Sequence, residues 1–240
     1  YVDDIYSDWA HGLGAAVKAG ALYRLGGAGS NASSATSLYL NGAYYSRVPY
    51  SNVFFASGNN EISEGIKNEQ NYLGEGGIRS IFNRGGFEAT FYASYWKNKS
   101  IMSSPYKQLE AEDAVKYMIT GLDAFHYGVE IDAYYNFSRW GKLAAYASIG
   151  SWKWQNNVNA IIYDNYTNQA VQEIHVYSDG LPVGDAPQTQ EGANLTLKPL
   201  ASLSRMSVVD PQGHVSGVMN GELSVVLSWS YNTRYWADFE

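Results

Sequence analysis

The chain has 240 residues, with 16 Lys and Arg against 23 Asp and Glu, a formal net charge of −7, and no cysteine. That balance gives no support for nucleic-acid binding, which rests on a basic surface, and the missing thiols exclude disulfide frameworks and thiolate metal sites. Tyrosine is the outlier at 21 residues, beside 7 Trp, 8 Phe and 24 Gly, a composition that suits either a Tyr-rich β-sandwich or a membrane barrel ringed by aromatic girdles.

The opening, Tyr1-Val2-Asp3-Asp4, lacks a Met and a basic leader, so a mature, processed or partial chain is expected. No run of roughly 20 apolar residues suggests a transmembrane helix. The first strand is expected over 11–25, where Val17, Ala19, Ala21 and Tyr23 alternate with Ala16, Lys18, Gly20 and Arg24, and Leu22 interrupts the polar set. Residues 26–35 read as a flexible turn of Gly, Ser, Asn and Ala, followed by a strand over 36–45 and a long polar connection over 46–68. A strand over 69–82 contains Gly74, Gly76 and Gly77. No helix follows to make a phosphate cradle there, so the small residues are read as room for curvature or close packing.

The tight turn Asn83-Arg84-Gly85-Gly86 leads into a strand over 86–97, where Phe87, Ala89, Phe91, Ala93 and Tyr95 alternate with Glu88, Thr90, Tyr92, Ser94 and Trp96. A second long connection, 98–121, includes a segment over 108–119 that fits a short helix or a strand excursion equally well. Over 123–137, Val129, Ile131, Ala133, Tyr135 and Phe137 alternate with Gly128, Glu130, Asp132, Tyr134 and Asn136. After the short turn Ser138-Arg139-Trp140-Gly141, the strand over 142–154 alternates Leu143, Ala145, Ala147 and Ile149 with Lys142, Ala144, Tyr146 and Ser148. A third long connection, 155–185, precedes strands over 187–198 and 221–232. In the last of these Leu223, Val225, Leu227, Trp229 and Tyr231 share one side.

Strands of about ten residues or more match a tilted bilayer crossing better than typical soluble strands. Short and long connections alternate, as expected of periplasmic turns and extracellular loops. On this reading the strands over 11–25, 69–82, 123–137 and 187–198 run inward and the others return. The segment 199–220 is long on the inner side and breaks the rule.

Candidate chemistry is sparse. His11, His126, His175 and His214 show no zinc spacing, and the simpler reading is solvated or barrel-lining side chains. Glu130 and Asp132 share one strand face, whereas a glycosidase pair comes from facing elements. Glu110, Glu112 and Asp113 lack calcium-loop spacing and read as a solvated acidic loop. No catalytic, metal or cofactor site is therefore expected. The candidate ligand-binding residues are the aromatics bracketing the third long connection: Trp152, Trp154, Tyr163, Tyr166 and Tyr177. An aromatic girdle with loop packing is the simpler account of them, since a girdle places Trp152 and Trp154 at this level without any ligand.

Several segments resemble TonB-dependent receptors of the Bacteroidota outer membrane. They are Tyr44-Tyr45-Ser46-Arg47-Val48-Pro49-Tyr50 with Asn52-Val53-Phe54, Asn68-Glu69, and Ile119-Thr120-Gly121-Leu122-Asp123-Ala124-Phe125-His126-Tyr127-Gly128-Val129-Glu130. The most specific is Ser148-Ile149-Gly150-Ser151-Trp152-Lys153-Trp154-Gln155-Asn156-Asn157-Val158, leading into Ile174-His175-Val176-Tyr177-Ser178-Asp179-Gly180-Leu181-Pro182-Val183-Gly184-Asp185-Ala186-Pro187-Gln188-Thr189. Tyr235-Trp236-Ala237-Asp238-Phe239 is similar to the family's ending near the last strands, whereas 199–220 matches poorly. The resemblance implies an antiparallel transmembrane β-barrel of 22 strands around a plug. This chain would supply about eight of those strands, its residues 1–240 being a C-terminal part without plug or final strands. It also implies uptake of a scarce nutrient through the cell outer membrane, with outer-membrane lipid around the barrel. TonB would be engaged through residues outside this chain, a surface lipoprotein is a candidate partner, and the substrate is an unidentified small molecule, glycan or peptide. A passive barrel or an adhesin-like surface protein is the alternative.

Overall fold

The computed structural model describes residues 9, 11–26, 34–56, 62–107, 114–199, 206–209, 215–219 and 223–237. Its strands are β1 (Ala15–Gly26), β2 (Ser34–Arg47), β3 (Glu69–Phe82), β4 (Gly85–Met102), β5 (Tyr106–Lys107), β6 (Ala114–Ser138), β7 (Gly141–Trp154), β8 (Val158–Asp164), β9 (Ala170–Val176), β10 (Thr189–Leu197), β11 (Met206–Val209), β12 (Val215–Met219) and β13 (Val225–Thr233). One four-residue helix, α1 (Ser51–Phe54), sits after β2. The fold is all-β. Eleven strands form one open sheet along the path β1-β2-β3-β4-β6-β7-β10-β13, with β5 and β8 joined to β6 and β9 joined to β8, while β11 and β12 pair separately.

The eight strands of the path are those the alternation predicts, and every pairing along it is antiparallel. The strand over 69–82 has the expected limits, and β6 starts well before residue 123. Of the segment 108–119, residues 114–119 are β-strand rather than helix, and 108–113 lie outside the described residues. Strand wins there because β8 and β5 supply backbone partners on β6 that an isolated helical turn lacks. The third long connection holds the β8–β9 hairpin, and 199–220 holds the β11–β12 hairpin, so the second departs from the short-turn rule by an added excursion. The expected turn is outside the described residues over 27–33.

Register gives the sheet two unlike faces. On the apolar face Val17 pairs with Tyr44, Leu40 with Gly76, Phe91 with Val129, Val129 with Ile149, and Leu195 with Leu227. These side chains are not buried by the chain: Phe91 is 63% exposed, Ile149 58% and Leu227 59%. Tyr44, Tyr72, Tyr95 and Phe125 lie opposite one another on successive strands as a four-strand aromatic row. Below it on this face Glu191 is the one charged side chain among the described residues.

On the polar face four tyrosines each lie over a glycine of a neighbouring strand. Tyr39 opposes Gly77, Tyr134 opposes Gly86, Tyr92 opposes Gly128 and Tyr146 opposes Gly192. A Cβ on Gly128 would stand 2.6 Å from the Tyr92 hydroxyl oxygen, and one on Gly77 2.6 Å from that of Tyr39. Tyrosine thus covers backbone that glycine leaves bare, and the glycines let the rings lie flat.

The best-buried side chains belong to the loop end of the sheet. Ile119, Leu122, Ala124, Trp154, Val158, Ala160 and Val183 form one cluster, and Val53, Ala56, Met118 and Tyr163 form another. This lobe begins where β4 and β6 shift register after Trp96. Asn98 (φ 56°) and Gly121 (φ 79°) both take left-handed backbone there, a conformation Asn and Gly tolerate best. Asp123 fastens the shift, its carboxylate accepting from the Asn98 N–H at 2.9 Å and the Tyr95 hydroxyl at 3.0 Å.

Candidate functional site

Alternation brings Asn71, Leu73 and Glu75 of β3, Tyr92, Ser94 and Trp96 of β4, His126 and Glu130 of β6, and Trp152 of β7 to the polar face. Leu73, Ser94, His126 and Trp152 form one cross-strand row, directly beneath the lobe. His126 is 8% exposed and its ring sits between those of Trp96 (centroids 4.6 Å apart) and Trp152 (5.7 Å). Its buried Nδ1 has no hydrogen-bond partner among the described residues. Trp152 Nε1 donates to the Tyr92 hydroxyl at 3.0 Å, and Ser94 Oγ donates to Asn71 Oδ1 at 2.7 Å. The Lys99 ammonium lies 4.8 Å from the Trp96 ring centre and 5.9 Å from that of Trp154.

Residues 183–186 cover this floor. Val183 N–H donates to the Trp152 carbonyl at 3.0 Å. The buried amide of Gln188 donates to that carbonyl at 2.9 Å and accepts from the Trp152 N–H at 3.3 Å. Arg234 donates to Gln188 Oε1 at 3.2 Å and to the Gly150 carbonyl at 3.0 Å. Asp185 N–H donates to the Trp236 carbonyl at 3.0 Å, and the Tyr235 hydroxyl to the Asp185 carbonyl at 3.2 Å. Asp185 (φ 65°) and Arg234 (φ 58°) hold left-handed backbone at this joint. A further clasp sits beside it: Asn156 donates to the Gly121 carbonyl and accepts from the Asp123 N–H, both at 2.9 Å, and Ser178 Oγ donates to the Asn156 carbonyl at 2.6 Å. The segments 119–130, 148–158, 174–189 and 235–239, far apart in sequence, therefore meet at one joint through their described residues.

Between floor and roof lies a cavity of ≈ 530 Å³, lined also by Glu75, Thr90, Lys99, Glu130 and Asp185. A second cavity of ≈ 280 Å³ shares Asn71, Trp96 and Lys99 with it and adds Tyr45, Arg47, Glu69, Gln70 and Lys97. The hydrogen bond and ion pair from Glu69 hold the Arg47 guanidinium above its ordinary pKa. The first cavity lies within the usual range for small-molecule sites and offers aromatic faces, amide and hydroxyl groups and carboxylates.

The five aromatics expected to bind ligand do not converge. Trp152 faces the larger cavity, while Trp154 and Tyr163 are packed in the two lobe clusters. Burial raises the Tyr163 pKa above its ordinary value. Tyr166 (89% exposed) and Tyr177 (74%) stand on the β8–β9 hairpin and after it, Tyr177 edge-on to His175 at 4.6 Å. Glu130 and Asp132 line different cavities on the polar face. His11 and His175 are exposed, whereas His214, Glu110, Glu112 and Asp113 lie outside the described residues. Asn71, Glu75, Tyr92, Ser94 and Lys99 join the site unannounced: period-two reading put Tyr92 and Ser94 on the polar face, but only cross-strand register sets them around His126. Among the described residues no group of His, Asp and Glu is placed to hold a metal ion, and no helix is long and apolar enough to cross a membrane. Comparison of the chain with family models, curated proteins and solved structures finds no match.

Proposed function

We propose that this chain is a section of the wall of an outer-membrane β-barrel, the C-terminal portion of a TonB-dependent receptor. That receptor takes up a scarce nutrient by binding and passage, without covalent chemistry. The observation that carries the reading is the exposed apolar face, continuous in register over eight strands. Water would penalise such a face, and lipid would not. Its height fits: Phe125 and Tyr135, both on this face, are ten residues apart on β6. At about 3.3 Å per residue and a tilt of about 40°, they are about 25 Å apart along the membrane normal, the height of a barrel's apolar band. The polar face then lines the lumen, and the lobe built from the long connections lies outside the cell. The open edges at β1 and β13 suit a chain that supplies part of a larger barrel. The resemblance to TonB-dependent receptors is the ground for energised import.

Cell fractionation of the full-length protein tests the first step. It should sediment with outer membranes, resist salt extraction and leave only in detergent; a monomer soluble without detergent overturns the proposal. Co-purification with the periplasmic domain of TonB tests the second. The exposed rings of Tyr166 and Tyr177 favour the alternative, a surface-binding barrel, and a stable membrane barrel that never retains TonB decides for it.

A further inference from the structure

The geometry points to a ligand site for an organic cation, an ammonium or guanidinium carried on an apolar or aromatic body, in the cavity above His126; this rests on the polar face being a transport lumen.

The charge on the wall sets the sign. Glu75, Glu130 and Asp185 line the cavity against Lys99, with His126 the only other residue able to carry positive charge. Glu75 is occupied by a 2.8 Å hydrogen bond from Asn41, whereas no ion pair engages Glu130 or Asp185 among the described residues. A carboxylate or phosphate entering here would meet three like charges. A neutral ligand would strip water from two unpaired carboxylates without replacing it. A cation neutralises them.

The rings set the shape. Tyr92 and Trp152 are fixed edge to edge by their hydrogen bond, and Tyr92 lies over Gly128 and Gly150 on β6 and β7. An electron-rich ring face beside a carboxylate is a cation site. The wall already demonstrates the mode, since Lys99 holds its own ammonium against Trp96 and Trp154. The backbone of Asp185, a residue lining the cavity, is held in left-handed φ by bonds to the Trp236 carbonyl and from the Tyr235 hydroxyl.

The test compares three probes of one shape: phenethylamine, 2-phenylethanol and phenylacetate. Each is titrated into the detergent-solubilised full-length protein and followed by intrinsic tryptophan fluorescence and saturation-transfer NMR. Phenethylamine should bind about tenfold more tightly than either other probe, as one charge over a ring and near a carboxylate predicts. Glu130→Gln should remove most of that preference while leaving 2-phenylethanol unchanged, and Leu143→Ala, on the opposite face, should leave all three unchanged. Equal binding of the three probes, tighter phenylacetate, or an unaltered preference in Glu130→Gln overturns the inference. A basic tripeptide added as competitor separates a peptide source of the cation from a free amine: displacement supports the former, none the latter, both within the inference. Loss of charge preference in a protein that still fractionates with outer membranes and retains TonB refutes the cation site alone. Detergent-free solubility refutes the reading beneath it.

Discussion

Replacing Trp154 with alanine asks whether the loop lobe is a folding unit distinct from the sheet beneath it. The side chain is 1% exposed and packs among Leu122, Ala124, Val158, Ala160 and Val183. A buried indole removes about 250 Å² from water, worth about 6 kcal/mol at about 25 cal/mol per Å². That is an upper bound, because the unfolded chain already hides part of the ring and alanine keeps part of the contact. Measured large-to-small changes of this kind cost about 3–5 kcal/mol. Of the eight-strand ladder the cluster takes in only the loop-end parts of β6 and β7, with Trp96 and Ile101 of β4 against it, so the loss should be confined to that end of the sheet. Amides of β8, β9 and 178–188 should exchange about 10²–10⁴ times faster, with β3 and the first half of β4 unchanged. Hydrogen-exchange mass spectrometry on the full-length protein in detergent reads this directly. Trp152→Ala is the comparator, since that ring faces the cavity and only flanks the cluster, so it should cost the lobe less while altering ligand binding. Unchanged lobe exchange in Trp154→Ala, or equal acceleration across β3 and β4, would refute the reasoning.

Gly150→Ala should cost about 1–3 kcal/mol by overpacking, because its Cβ would stand 2.7 Å from Trp152 Nε1 and 2.8 Å from the Tyr92 hydroxyl. The penalty should shrink in a Tyr92→Ala background, and a double-mutant cycle by thermal unfolding measures that coupling. The Thr167 N–H and hydroxyl, and less strongly the Tyr166 N–H, donate to the Asp164 carboxylate and hold its pKa below 3.8 against the opposing effect of burial. A depressed carboxylate stabilises above its unfolded pKa and loses that contribution as pH falls through the folded value. The β8–β9 tip should therefore loosen only in acid below 3.8, seen as faster Thr167 amide exchange, and Asp164→Asn should flatten the profile. The Arg47–Glu69 pair is largely exposed on the arginine side, so Glu69→Gln should cost no more than about 1 kcal/mol, falling further in high salt. Glutamine keeps an oxygen that can accept from the Ser100 N–H, so the substitution tests the charge alone, and a loss above about 2 kcal/mol in chemical denaturation would refute the low value given to the ion pair.

The sheet was readable because period two survives lateral packing. Phe87, Ala89, Phe91 and Ala93 alternate with polar partners, and nothing in the chain overrides that pattern once β3 and β6 lie alongside. The lobe was not readable. Residues 114–119 look equally helical, and strand is decided by β8, whose matching residues lie more than 40 positions away. The binding residues fared the same way. Trp152 and Trp154 have identical local credentials, yet they lie two residues apart beside a register shift, and one faces a cavity while the other closes a core. Aromatic identity tells that a ring will find a surface; which surface depends on register across three strands.

The same register shift explains why the candidate site lies where it does. Up to Trp96, β4 and β6 run in unbroken register, every side chain is committed to one face or the other, and tyrosines lie flat over glycines with little relief. Past Asn98 and Gly121 the ladder bends, β6 takes up β8 as a new neighbour, and side chains pack in a core instead of on a face. A cavity forms at such a change because the two packing patterns do not tile. The rings of Trp96 and Trp152 belong to the sheet, the roof at 183–186 belongs to the lobe, and the space between is filled by neither. Gln188 and Arg234 span that seam by bonding to Trp152 and Gly150, which ties the roof to the sheet without closing the gap. These bonds hold the geometry of the seam, and Tyr92, Glu130 and Asp185 are among the residues that face it.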